Sequence, residues 1–350
     1  MPLLSGKCLR NHLAHENALV DILPTDAWSS VLLNAVKLTE SKDLLLNCRI
    51  GNVLKHDINQ LRRKYERGLA ILDKQREMWK SLLDGNFEKF AIGIADGADI
   101  CSRTWDLSTT LHHAARGSNI DAIKFLAKQK MISTEVRDID GHTALHIAAS
   151  CGRDVTVEFL VTEMRNAINQ VDDAGKTPLH LASQNGHKKT VVTLLSLGAK
   201  KTIKDITGFS PMHSAAQNSY LDVVKILLKK GAAVDEKTLV GGLTPLHVAV
   251  GFGNMEIMKY LLLNEADINA LTDAGATPLN VAVCNGHLEV VNALLEKGAH
   301  VNLRTSKGHS PLLCAVDINH NEIVKILLEK GAVVNNGDVM LIHRGINLHT

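Results

Sequence analysis

Apolar residues in the second half of the chain recur at helical spacing. Val191, Val192, Leu194 and Leu195 form one such run, Val223, Val224, Leu227 and Leu228 another, and Val290, Val291, Leu294 and Leu295 a third. The spacing predicts helices that bury one face. A shorter apolar stretch precedes each run, as in Thr177-Pro178-Leu179-His180-Leu181-Ala182. The Thr177 hydroxyl suits a helix N-cap, and Pro178 suits the first helical position, where no backbone donor is needed. Each unit is therefore predicted to hold two helices. Ala182 and its equivalents Ala115, Ala148, Ala215, Ala249 and Ala282 keep the first helix thin enough for a neighbour to lie close. Gly186, matched by Gly152, Gly253 and Gly286, marks a sharp turn between them that is expected to need positive φ.

The pattern repeats. Thr109, Thr143, Thr177, Ser210, Thr244, Thr277 and Ser310 open successive copies at intervals of 33 or 34 residues, which predicts an array of stacked units. Ahead of each opener lies a polar segment such as Asp138-Ile139-Asp140-Gly141-His142, with glycine two places before the hydroxyl residue at Gly141, Gly175, Gly208, Gly242, Gly275 and Gly308. A tight turn, here termed a finger, is expected at each. The fifth, Thr238-Leu239-Val240-Gly241-Gly242-Leu243, carries one extra residue.

Thr-Pro-Leu-His at 177–180 and 244–247, the variants Thr143-Ala144-Leu145-His146 and Ser210-Pro211-Met212-His213, and the closing Gly-Ala pairs at 198, 231, 298 and 331 together resemble ankyrin repeats. Seven copies span roughly residues 104–335. The resemblance implies an all-α solenoid of stacked helix pairs with β-hairpin-like fingers, whose histidines at 112, 146, 180, 213 and 247 hydrogen-bond within and between repeats. Departures are local. Thr110 and Ser118 replace the usual proline and turn glycine of the first copy, Met131-Ile132-Ser133 and Asn166-Ala167-Ile168-Asn169 replace Gly-Ala turns, and Leu313 replaces the histidine of the last copy.

Outside the array the pattern changes. Residues 1–43 allow two short helices separated by Pro24. Leu54, Ile58, Leu61, Tyr65, Leu69, Leu72 and Trp79 then mark an amphipathic helical segment. Residues 1–85 are thus expected to form a helical segment that caps the first repeat; an adaptor or coiled-coil role is the alternative. Phe87, Phe90, Ile92 and Ile94 followed by Gly97-Ala98-Asp99-Ile100 read as the second half of a partial repeat over 86–103, its first half replaced by the long helix. Residues 336–350 form a tail in which Val339-Met340-Leu341-Ile342 is expected to fold back over the last copy.

Composition narrows the function. The 39 basic and 37 acidic residues are interspersed and aromatics make up 3%, so neither a phosphate-binding patch nor a stacking platform for nucleic acid is indicated. The six cysteines show no CxxC pair or framework spacing. No signal-peptide core and no run of ~18 apolar residues is present, so no membrane association is expected, and the location expected is cytoplasmic or nuclear. No hydrolase elbow, phosphate loop, zinc-protease or kinase motif occurs, so no enzyme, cofactor or catalytic residue is predicted. The histidines at 112, 146, 180, 213 and 247 recur at one position of successive units without converging, so no metal site is predicted either.

The chain is therefore expected to be a non-enzymatic interaction protein that holds a partner protein on the fingers and concave face of the array. The alternative is a substrate-recognition adaptor, for example of a ubiquitin ligase, or a piece of a larger ankyrin-containing toxin or effector. Copies two and three offer polar display residues: Asp140, His142, Ser150, Asp173, Lys176, Gln184 and Asn185. Copies four and five instead offer Phe209, Leu239, Val240, Leu243 and Phe252, an apolar group expected to form the contact patch. The rival expectation is that the longer fifth finger folds onto Phe209 and buries the group. Resemblance also implies that Asn269 and Asn302 match the hairpin asparagine that an oxygen-dependent hydroxylase modifies in many such repeats.

Overall fold

The Thr-Pro openers do start helices. The Thr177 Oγ1 accepts from the His180 backbone N–H at 3.4 Å while His180 Nδ1 accepts from the Thr177 N–H at 3.1 Å, a reciprocal cap with histidine in the place usually held by glutamate. A computed structural model describes residues 63, 68, 70–129 and 132–334. Among them are 16 helices and no strands. The chain divides into two compact units, Met1–Ile132 and Ser133–Thr350.

In the first unit, α1 runs through residues 70–83, followed by α2 (Phe87–Ala95), α3 (Thr110–Gly117) and α4 (Ile120–Ala127). Phe90 is fully buried and meets Phe125 of α4 edge-on, ring centroids 5.9 Å apart. The buried face of α1 comprises Gln75, Met78, Ser81 and Leu82, whereas Leu72 and Trp79 of the predicted stripe are only half-buried. Backbone satisfaction explains the polar member. The Gln75 side chain accepts from the Asp99 N–H at 2.9 Å and donates to the Asp99 carbonyl at 3.0 Å, holding the turn after α2 against α1. Trp79 stacks on His113 at 5.4 Å, and Gly117 lets α3 approach α1 so closely that a Cβ there would collide with the Leu82 carbonyl. The predicted helices of residues 1–43, and Leu54, Ile58, Leu61, Tyr65 and Leu69, lie outside the described residues.

The second unit is a stack of helix pairs. The inner row is α5 (Ala144–Ser150), α7 (Pro178–Gln184), α9 (Pro211–Gln217), α11 (Pro245–Gly251), α13 (Pro278–Cys284) and α15 (Pro311–Asp317). Behind it stand α6 (Asp154–Thr162), α8 (Lys188–Ser196), α10 (Leu221–Lys229), α12 (Met255–Leu263), α14 (Leu288–Glu296) and α16 (Asn321–Glu329). Every inner helix packs on the next, and the core lies between the rows: Leu179, Leu194, Val224, Leu227, Leu246 and Leu261 are all fully buried. Gly186 turns α7 into α8 at φ 73°, with the Tyr220 ring of the following pair where its side chain would stand. Ser219 and Asn319 adopt the same left-handed conformation without glycine, as Ser118 does in the first unit. The tail 336–350 lies outside the described residues.

Candidate functional site

Each finger of the second unit is built on one polar side chain, buried in all but Thr305, five or six residues ahead of the helix opener. Asp138 Oδ1 accepts from the His142 N–H at 2.8 Å, Asp172 Oδ1 from Lys176 N–H at 2.7 Å and Asp205 Oδ1 from Phe209 N–H at 2.9 Å. Thr238, Thr272 and Thr305 do the same through their hydroxyls toward Leu243, Ala276 and His309. A return bond from the backbone N–H of the same residue closes the turn, as from Asp205 to the Phe209 carbonyl at 2.9 Å. The fingers are thus closed turns rather than strand ladders. Adjacent tips are bonded too: Asp173 N–H donates to the Asp140 carbonyl at 3.2 Å and Ile206 N–H to the Ala174 carbonyl at 3.1 Å.

The repeated histidine ties each pair to the next finger. His146 Nε2 lies 3.1 Å from the Lys176 carbonyl, His180 Nε2 3.0 Å from Phe209, His213 Nε2 3.0 Å from Leu243 and His247 Nε2 3.1 Å from Ala276. A carbonyl only accepts, so the proton sits on Nε2, and Nδ1 is left to accept from the capping residue. All four rings are buried and neutral. Burial brings His146, His213 and His247 down to about 4 and also lowers His180. In the sixth copy Asn280 takes this place and bonds only backward, its Oδ1 accepting from the Thr277 N–H at 2.9 Å.

His142 behaves oppositely. It bridges two fingers, Nδ1 3.4 Å from Asp138 Oδ2 and Nε2 3.3 Å from Asp172 Oδ2. The hydrogen bond to Asp172 raises its pKa against the effect of burial. Asp138, Asp140 and His142 bring ligand atoms within 4.8 Å of one another, an Asp-x-Asp-x-His grouping not singled out from the sequence. Asp138 already closes the finger and holds the Asp140 N–H at 3.0 Å, so this grouping serves the turn.

The apolar group divides into two kinds. Leu239, Val240 and Phe252 are 68%, 69% and 55% exposed. Phe209 and Leu243 are half-buried, and the Phe209 ring rests 5.4 Å from the His213 ring. Phe209 and Leu243 hold matching places, since each lends its carbonyl to the preceding pair's histidine. Leu239 and Val240 point outward, so the fifth finger does not bury the group. A Cβ on Gly208 would collide with the Leu239 backbone, which places the fifth finger directly beside the fourth. Phe252 comes from another element, the C-cap of α11. Ile206, 71% exposed, adds to the group from the fourth finger; it holds the tip position that Asp173 and Asp273 hold elsewhere and that Ile139, 54% exposed, shares on the second.

Asn269 and Asn302 clasp the turns that follow. Asn269 Oδ1 accepts from the His300 N–H at 2.9 Å, and Asn302 Oδ1 accepts from Val333 N–H at 2.9 Å while its Nδ2 donates to the Gly331 carbonyl at 3.1 Å. Asn169 makes the same bond to Lys200.

Among the described residues no helix is long and apolar enough to cross a membrane. The family model for ankyrin repeats in three copies matches residues 68–172, 111–205, 156–238 and 235–305, and the single-repeat ankyrin model matches 307–339. The crystal structure of the human ASB11 ankyrin repeat domain is similar at a TM-score of 0.57 and 28% identity, over 65% of this chain and 99% of that one. No curated protein matches the chain.

Proposed function

Because this chain belongs to the ankyrin-repeat family, we propose that it is a non-enzymatic interaction protein that holds a partner protein through the fourth and fifth fingers and the end of α11. Leu239, Val240 and Ile206 at the finger tips, with Phe252, are the contacts, and Phe209 and Leu243 form their half-buried base. The observation that carries this reading is the exposure of Leu239 and Val240 on the one finger that is longer than the rest. Apolar side chains kept in water on a rigid support favour docking, because little conformational freedom is lost when a partner covers them.

The test is capture of partners from the native cell, read by mass spectrometry, with Leu239→Asp/Val240→Asp against the unmodified chain. The double variant is expected to weaken capture by roughly 2 kcal/mol or more while the melting temperature stays put, since neither side chain is buried. Undiminished capture of the same partner moves the site elsewhere. Phe209→Asp is a less clean probe because its ring packs on His213.

Hydroxylation of Asn269 and Asn302 is part of the same proposal. Each Oδ1 stays engaged in its clasp, so the modification must be read on Cβ as an added oxygen. Peptides from protein made in the native host should carry it, and unmodified mass on both rejects it.

A further inference from the structure

We propose that Cys284 and Cys314 form a redox-active dithiol site in which hydrogen peroxide converts the two thiols into a disulfide joining α13 to α15. The two cysteines lie on adjacent inner helices that pack directly on each other. Both are free, Cys284 exposed and Cys314 buried. Both also line one cavity of about 320 Å³, together with Asn280, Thr305, Lys307 and His309.

The cavity has a cause in the sequence. Earlier copies fill this position with a histidine that reaches the next finger's carbonyl, and the shorter Asn280 lies on the cavity lining instead. Asn280 is 2% exposed and its Nδ2 has no partner, a buried donor suited to a small oxygen-bearing molecule. Cys284, at the mouth, supplies the nucleophile. The neighbouring Cys314 thiol brings its pKa down to about 7, against burial and the repulsion of Asp317, whereas the Cys284 thiol and burial push Cys314 up. One sulfur is therefore set to attack and the other to resolve.

The Cys284 thiolate attacks one peroxide oxygen, the O–O bond breaks, and the departing hydroxide takes up the proton that the thiol released, giving water and a sulfenic acid. The Cys314 sulfur then attacks the Cys284 sulfur. The S–S bond forms as the S–O bond breaks, and the leaving oxygen carries the Cys314 proton away as a second water. Two thiols have lost two electrons, and the peroxide has become two waters.

Treating the full chain with hydrogen peroxide, blocking the remaining thiols with iodoacetamide and mapping peptides tests the site. The expected product is a single cross-linked peptide pair holding Cys284 and Cys314, lighter by two hydrogens and separated by dithiothreitol, formed before Cys101 or Cys151 reacts. Cys314→Ser should leave Cys284 as a sulfenic acid trapped by dimedone, and Cys284→Ser should leave Cys314 unoxidised. Should either variant fold poorly, the peptide map of the unmodified chain decides alone. Cross-links from Cys284 to any other cysteine, conversion of Cys284 to sulfinic acid with Cys314 still free, or oxidation of Cys101 and Cys151 ahead of this pair overturns the proposal.

Discussion

Leu179→Ala is expected to lower the unfolding free energy by about 2–5 kcal/mol, and Leu194→Ala by a similar amount. Both side chains are fully buried, Leu179 on an inner helix and Leu194 on the outer helix behind it, so truncation removes transfer energy and leaves a cavity between rows that other pairs hold in place. Val192 sits two residues from Leu194 in the same apolar run but is 42% exposed. Val192→Ala should therefore shift stability by no more than about 0.5 kcal/mol. Urea titrations of the three variants check the assignment. Equal losses at Leu194 and Val192 would mean that the outer helix presents a different face.

The stack is also expected to unfold in mild acid. His146, His213 and His247 have folded-state pKa values of about 4 against an ordinary 6.5, because burial and an Nε2–H already donated to a carbonyl favour the neutral ring. The unfolded chain then binds more protons below 6.5, so stability is fully present above that value and is lost as pH falls toward 4. Each ring contributes on the order of 3 kcal/mol across this window, and His180 adds in the same direction. Three such rings approach the whole stability of a typical domain, about 5–15 kcal/mol. His142 opposes them: its raised pKa stabilises at low pH and that contribution is lost as pH rises through the folded value, but it is one group against four. Melting curves followed by far-UV circular dichroism should show the loss setting in below about pH 6.5. His247→Asn, which copies what the sixth repeat already has, should make the pH dependence shallower. An unchanged slope in that variant would remove the histidines as its cause.

The helix pairs and their register were legible because the signals are local and repeated. Thr177-Pro178 caps a helix wherever it occurs, and the spacing of Val191 and Leu194 reports a buried face without knowledge of what covers it. The finger-closing residues were equally periodic yet passed unnoticed. Asp138, Asp172 and Asp205 give way to Thr238, Thr272 and Thr305, and either type reads as a solvated loop residue until its oxygen is seen accepting a backbone N–H. Gln75 hides for the same reason, being polar in sequence and buried by its bonds to the Asp99 backbone. The shared cavity of Cys284 and Cys314 depends on convergence between neighbouring helices. Their separation along the chain, unlike a CxxC pair, says nothing about it. The division of the apolar group into exposed Leu239 and Val240 and half-buried Phe209 and Leu243 was likewise invisible, since all four read alike as apolar finger residues.

The fifth finger closes with the same pair of bonds as its shorter neighbours: Thr238 Oγ1 accepts from the Leu243 N–H at 2.9 Å, and the Thr238 N–H returns to the Leu243 carbonyl at 2.9 Å. The additional residue is taken up between them by Gly241 and Gly242, both at positive φ. The closing bonds at the base of this loop are therefore the same as in its shorter neighbours, with the His213 bond to Leu243 on the scaffold side, while at the tip the Gly241 carbonyl accepts from the Asp273 N–H at 3.1 Å. Segments of foreign sequence grafted between Val240 and Gly241 should accordingly leave the helix pairs undisturbed and give up only the tip bond to Asp273, which makes this finger a practical point of insertion for a displayed peptide.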